Sequence, residues 1–255
     1  MTTAKKIKEE IMPTDEEPIK IICGDCLEIM NQIPNNSIDM VFLDPPFGIN
    51  FKENTTRVYS QGMYKKQVSK ETYYDDFSDS KEYSEWSKKW LKNIFRVLSK
   101  TGVFVLVSGW TNVSYLDINS RDLGFKLLNH CIWKYEFGVY CNKKFVTSHY
   151  SILIFVKDLN NYRTNIPEYK EDVILDIRRT DKKSYEHPCT MNEKLPRRFI
   201  QYFSNKDDLV LDCFLGSGTT AVACKQLGRK CIGIEINPEY CKIAKQRLQQ
   251  EVLNL

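Results

Sequence analysis

Val41-Phe42-Leu43-Asp44-Pro45-Pro46-Phe47 is the stretch on which the reading of this chain turns. Its apolar part is a short run of large uncharged residues, the pattern of a buried strand. Two consecutive prolines have no N–H to give to a ladder, so the strand must stop at Asp44. A carboxylate, a rigid backbone carbonyl and an aromatic ring are thereby presented together at a strand's C-terminal end, the edge where open α/β sheets bind ligands. An ordinary strand followed by a Pro-rich turn would account for the same letters, and this stretch alone does not separate the two readings.

The chemistry that suits such a group is narrow. An exocyclic amine on a nucleobase is a poor nucleophile, because its lone pair is delocalised into the ring. Asp44 and the carbonyl of Pro45 would each accept one N–H bond, drawing the nitrogen toward tetrahedral geometry while Pro46 keeps the turn rigid. Phe47 would stack on the base once it is extruded from a duplex.

Bulk properties permit this and exclude little else. At 255 residues, 42% hydrophobic and 27% charged, the chain has the make-up of a soluble globular protein with a real core. A net charge of +4 allows a polyanionic partner without demanding one. No apolar run reaches the length of a membrane span, and the Lys/Glu-rich residues 1–20 lack the apolar core of a secretory signal, so the expected location is cytoplasmic. Nine cysteines, an odd number, fall mostly in apolar segments and suit reduced thiols better than disulfides. Cys23-Gly24-Asp25-Cys26 has metal or redox spacing, but no second Cys or His pair partners it, and no metal site is expected.

Working outward, residues 1–18 read as a flexible leader and 19–255 as one domain. Ile19 to Cys23 is a strand ending in Gly24-Asp25-Cys26, with a helix from Leu27 to Gln32 after it; this sets Asp25 and Asp44 side by side in one parallel sheet. Periodicity is lost over 50–76, where Arg57, Lys65, Lys66 and Lys70 interleave with Tyr59 and Tyr64. That stretch is either a mobile arm that closes on DNA or a plain solvated loop. Tyr83 to Leu98 is a helix whose Trp86, Trp90, Ile94 and Phe95 recur at core spacing. Val103 to Val107 is a strand and Asn112 to Leu123 a helix; Lys126 to Tyr135 and Tyr150 to Lys157 form an antiparallel edge. Residues 157–187, weakly periodic and balanced in charge, are the expected target-recognition insert. In the helix Pro196 to Phe203, Arg197 and Arg198 oppose the dipole and are expected to serve a phosphate or an acidic partner.

A second constellation lies near the C-terminus. After the strand Leu209 to Cys213, Gly216-Ser217-Gly218 with Ala221 fits the glycine fingerprint that opens a helix, and Gly228 ends that helix. Glu235 follows at the end of the next strand, nineteen positions past Gly216, where an acid would bind both ribose hydroxyls. Asn237 caps the last helix with Pro238 at its first position. The pattern calls for an adenosine-containing cofactor. Asp212 would repel a pyrophosphate but accept from the ammonium of a methionine moiety, which favours S-adenosylmethionine over NAD.

With both motifs present, the sequence resembles the DNA amino-methyltransferases of the β arrangement, in which the catalytic block precedes the cofactor block. The resemblance rests on Gly24-Asp25-Cys26-Leu27, on Asp44-Pro45-Pro46-Phe47, and on Asp212-Cys213-Phe214-Leu215-Gly216-Ser217-Gly218-Thr219-Thr220. It implies an α/β, Rossmann-like, mostly parallel sheet with an antiparallel edge strand and a small recognition insert. It also implies that Asp25 bonds the cofactor's adenine amine, with Cys26 beside it, and that Phe214, Gly216, Ser217, Gly218, Thr219 and Thr220 surround the methionine portion. Ile236 and Asn237 would join Glu235 at the ribose. Asp44 in place of a serine resembles the adenine-N6 enzymes more than the cytosine-N4 enzymes. The compact restriction-modification members are the nearest likeness, which implies double-stranded DNA as partner, a homodimer and a cognate endonuclease as expectations. In one departure, the family's His-Pro-Thr and Lys-Pro block reads His187-Pro188-Cys189-Thr190 and Lys194-Leu195-Pro196 here. The rival readings are cytosine-N4 or RNA amine methylation, a catalytically silent DNA-binding module of the same fold, and, more distantly, an NAD-dependent oxidoreductase.

Overall fold

The computed structural model describes residues 11–48, 77, 79–139, 143, 145–167, 170–179 and 191–250. The expected mobile arm at 50–76 and the His187–Thr190 block therefore lie outside the described residues.

One eight-stranded sheet runs through the molecule in the order β1-β8-β7-β2-β3-β5-β4-β6. Its strands are β1 (Ile19–Cys23), β2 (Ile38–Leu43), β3 (Leu98–Ser108), β4 (Lys126–Val139), β5 (Thr147–Val156), β6 (Val173–Ile174), β7 (Leu209–Asp212) and β8 (Lys230–Glu235). The helices are α1 (Cys26–Met30), α2 (Ser80–Val97), α3 (Val113–Asp122), α4 (Lys194–Phe203), α5 (Thr219–Leu227) and α6 (Pro238–Gln250). All pairings are parallel except those of β5 with β3 and β4. The reversed strand thus stands inside the sheet, with β4 and the two-residue β6 beyond it, whereas the sequence placed an antiparallel strand at the edge.

Side chains alternate across the sheet and divide the core into two layers. Val41, Leu43, Phe104, Leu106, Leu211 and Ile234 face α1, α2 and α3. Met40, Phe42, Val103, Val105 and Val210 face α4, α5 and α6. Helix α2 starts where Asp79 accepts from the N–H groups of Lys81 and Glu82 at 2.8 and 2.9 Å, and it buries Tyr83, Trp90, Leu91, Ile94 and Val97.

Two expectations need correction. Residues 11–18 are seated on the domain instead of trailing from it: Ile11 is buried in the first core layer, and the Pro18 carbonyl accepts from Cys231 N at 2.8 Å. An apolar residue at position 11 finds core to bury it, which the polar composition of the leader concealed. Part of the recognition insert is also tied to the wrong end of the sheet for contact with a ligand. Arg163 bonds Asp208 at 2.6 Å, lies 3.3 Å from Asp39, and donates its backbone N–H to the Thr101 carbonyl at 2.9 Å. These partners precede or begin their strands, so 158–167 belongs to the N-terminal edge, and the described part of the insert that turns back to the opposite edge is 170–179. Arg198 does find an acidic partner, in Asp176 of this same segment, at 2.9 Å.

Candidate active site

Parallel strands share one C-terminal edge, and the reversed β5 brings its first residues to it. Along that edge stand Asp25 after β1, Glu235 ending β8, Asp212 ending β7, Asp44 after β2, Gly109 after β3, and Tyr150 in β5. Asp25 and Asp44 are not side by side: β8 and β7 separate them, because β1 pairs with the late strand β8 in the register Cys23↔Glu235. Proximity in sequence made neighbours of two strands that the crossover keeps apart.

The glycine loop follows β7. Gly216 and Gly218 adopt left-handed backbone, with φ of +54° and +87°. A Cβ on Gly218 would stand 2.7 Å from the Cβ of Ala244, so this glycine lets the loop close on α6. Glu235 accepts from Gly216 N at 2.7 Å and from Asn237 N at 2.8 Å, which binds the loop to the end of β8. Asn237 caps α6 through Glu239 N at 2.9 Å, while the neighbouring Ile236 is exposed. Asp212 accepts from Phe214 N at 3.0 Å and from the Thr220 hydroxyl. Phe214 turns its ring to Trp86 and Trp90 of α2, with centroids 5.6 and 5.4 Å away. Ser217, Thr219 and Thr220 are buried. Asp25 caps α1 by accepting from Leu27 N at 2.8 Å, and Gly24 N donates to the Glu235 carbonyl at 2.9 Å. Cys26, half-buried, shares a hydrogen bond with the Cys213 thiol.

The other half of the edge carries Asp44, Pro45, Pro46 and Phe47. Tyr83 of α2 donates its hydroxyl to the Pro46 carbonyl at 2.9 Å. The Asn112 amide donates to the carbonyls of Phe47 and Gly48 at 2.8 and 3.2 Å. The Phe47 ring meets Tyr150 at 5.4 Å, and Tyr150 in turn meets Trp133 and Tyr135. Arg179 lies over both tyrosine rings, 5.4 Å from Tyr135 and 5.7 Å from Tyr150.

Electrostatically the edge is short of positive charge. Burial pushes the Asp44 carboxyl up to about 7, helped by the nearby Asp212 charge and opposed by Arg179. Burial likewise raises Asp212 to about 7 against the bonds from Thr220 and Phe214, and it raises Glu235 too. Among the described residues no group of three or more His, Cys, Asp or Glu is arranged to hold a metal ion.

Several residues of this site escaped the sequence reading. Tyr83 reads in the sequence only as the first residue of a helix, although a buried phenol needs a partner. Asn112 read as a helix start. Arg247, buried on α6, donates to Ser217 O at 2.7 Å, Ser217 Oγ at 3.0 Å, Thr219 Oγ1 at 3.1 Å and Glu193 Oε1 at 2.6 Å. Its place in the last helix offered no local cue, since arginine near a helix C-terminus is already favoured by the dipole.

A sheet edge that sets a glycine loop at a helix start one strand from a buried carboxylate followed by two prolines fits an α/β methyltransferase. The chain belongs to the DNA methylase family of N6 and N4 enzymes, whose model matches residues 38–246, and S-adenosylmethionine is its cofactor. Type II methyltransferase M.HpaI of Haemophilus parainfluenzae is 30% identical over 91% of this chain and 74% of the relative. DNA adenine methyltransferase YhdJ of Escherichia coli K12 is 30% identical over 89% and 82%. Among solved structures, the cytosine-N4-specific PvuII DNA methyltransferase superposes with a TM-score of 0.72 at 21% identity, covering 93% of this chain and 88% of that one. The M1.HpyAVI–SAM complex gives 0.64 at 23% identity, covering 90% and 99%. These last two likenesses speak for the fold. No helix among the described residues is long and apolar enough to cross a membrane.

Proposed function

We propose that this chain methylates the exocyclic N6 amine of adenine in double-stranded DNA at a specific site, as part of a restriction-modification system. The observation that carries the reading is the Asp44 carboxylate, desolvated at the sheet edge one strand away from Asp212 and the glycine loop. A serine hydroxyl there would accept the amine with a neutral oxygen; a carboxylate accepts with charge and strengthens as the amine becomes cationic. The name of YhdJ, a DNA adenine methyltransferase, points the same way, and that of M.HpaI, a Type II methyltransferase, supports the restriction-modification setting.

S-adenosylmethionine, when bound, supplies an electrophilic methyl carbon on a sulfonium. The protein fits that ligand: two buried carboxylates with raised pKa stand at the edge, where its ammonium and sulfonium would add positive charge to that of Arg179, and the glycines open a backbone approach. Asp212 would face the ammonium, Glu235 the ribose and Asp25 the adenine amine. Asp44 and the Pro45 carbonyl orient the substrate amine. As nitrogen gains its fourth bond, Asp44 stabilises the cation and then accepts the proton that leaves it. Tyr83 and Asn112 hold the turn rigid through three carbonyls, so the geometry exists before the base arrives. Residues 170–179, the described part of the insert that returns to the C-terminal edge through β6, would serve target recognition, and 50–76 would be the arm that closes on DNA; a homodimer and a cognate nuclease complete the proposal.

The test is incubation of purified protein with unmethylated genomic DNA and S-adenosylmethionine, followed by nucleoside mass spectrometry. N6-methyladenine is expected. N4-methylcytosine would keep the catalytic edge and overturn the choice of base.

A further inference from the structure

Of the four tryptophans, Trp90 and Trp133 are buried and Trp86 is half-buried in the core, whereas Trp110 is 56% exposed. An indole left in water on a described surface calls for a reason, because its burial elsewhere in this chain is nearly complete. Its position is unusual as well. β3 lies beside β2 in the register Leu43↔Leu106 and runs on past it to Gly109. There the backbone passes directly under the catalytic aromatic: a Cβ on Gly109 would stand 3.1 Å from the Phe47 ring. Three residues later, Asn112 grips the Phe47 and Gly48 carbonyls. Trp110 sits between these two attachments and is fixed relative to the reacting edge.

On the strand paired with β3 at this end, β5, Tyr150 meets the Phe47 ring, and the connection leading into β5 exposes Phe145, at 98%, and Val146. Lys143 in the same connection is an exposed cation, and so is Arg178, the chain neighbour of the Arg179 that lies over Tyr150. Two exposed aromatics thus stand at one sheet edge, just past the end of β3 and just before the start of β5, the adjacent strands whose residues meet the Phe47 ring, with the exposed Lys143 in the same connection as Phe145. On α3, which follows Trp110, Asp117 is paired with Arg121 at 2.7 Å.

We infer that Trp110, with Phe145 at the same sheet edge, forms a stacking rim that contacts the bases of duplex DNA next to the extruded target. Aromatic faces stack on any base, and cations beside them meet the phosphates, so the surface suits a polyanion with exposed π-faces better than a second apolar protein face. Extrusion leaves a gap in the stack, and a rim beside the catalytic turn lies where that gap opens. The inference rests on the reading of DNA as substrate.

The experiment is acrylamide quenching of intrinsic fluorescence with and without unmethylated duplex fragments. Band-shift and methylation assays run on the same samples, for the unaltered protein, Trp110→Phe and Trp110→Ala. The expected result is that bound duplex protects the quenchable component, and that this DNA-dependent change disappears in Trp110→Phe. Trp110→Ala, which leaves the core untouched, weakens duplex binding about tenfold at unchanged cofactor affinity. If DNA is bound and methylated while quenching stays as it was, the rim is wrong and the function stands. Protection that instead grows with protein concentration in the absence of DNA would assign Trp110 to a face between copies and overturn the inference. If no duplex binds and no base is methylated, the functional reading falls together with the rim.

Discussion

The two halves of the catalytic edge are built by opposite means. On the cofactor side, main chain does the positioning: Glu235 is held by the N–H groups of Gly216 and Asn237, and Asp212 by that of Phe214. Nearly every partner there lies within a single strand–loop–helix–strand unit. On the acceptor side, side chains from remote elements grip bare carbonyls: Tyr83 reaches Pro46 across 37 positions, and Asn112 reaches Phe47 across 65. The contrast follows from proline and glycine. Glycine frees N–H groups to bind a ligand or an acid, whereas two prolines leave the Asp44 turn with acceptors only, which donors from elsewhere must satisfy. The cofactor half is therefore a local motif, and the acceptor half a product of assembly.

That contrast can be broken at Asp44, where the largest effect is expected. Asp44→Ala should lower methyl transfer on the order of a thousandfold, as removal of a key charge-stabilising group does, while cofactor affinity by calorimetry changes little. On the other half, Gly218→Val combines a left-handed backbone with a Cβ pressed on Ala244; cofactor affinity should fall roughly a hundredfold, with duplex binding intact.

Acid sharpens the comparison, because both halves carry a carboxylate near neutrality. In the proposed mechanism Asp44 must be ionised to accept the amine, so kcat/KM for the cofactor, which reports on the free protein, should drop about tenfold per unit as pH falls below about 7. Stability runs the other way. Asp44 and Asp212 hold protons more tightly folded than unfolded, so their contribution is full below the ordinary carboxylate value of 3.8 and is lost as pH rises through about 7. Melting curves at pH 8 with and without cofactor should show the ligand recovering that loss; equal cofactor-induced shifts at pH 5 and pH 8 would contradict it.

Smaller effects separate positioning within each half. Arg247→Met unties Ser217, Thr219 and Glu193 together and should raise the cofactor's Kd about tenfold with kcat preserved at saturation; Arg247→Lys should recover part of it. Tyr83→Phe removes one hydrogen bond to Pro46, and a loss of about threefold in kcat with unchanged cofactor affinity is expected from steady-state kinetics.

The sequence by itself determined the strands that carry Asp44, Asp212 and Glu235, the glycine loop with its flanking helix, and the kind of chemistry these residue types serve. Each of those signals is local: a run of apolar residues stopped by proline, or glycines at the mouth of a helix, reports on conformation within a few residues. Tertiary structure alone decided that β8 and β7 stand between Asp25 and Asp44, that β5 is reversed inside the sheet, and that residues 11–18 and 158–167 are pinned to the domain. It alone brought Tyr83, Asn112, Tyr150, Arg179 and Arg247 to the edge. Strand order and long-range hydrogen bonds depend on which surfaces bury together once the chain has collapsed, and no window of neighbouring residues carries that information.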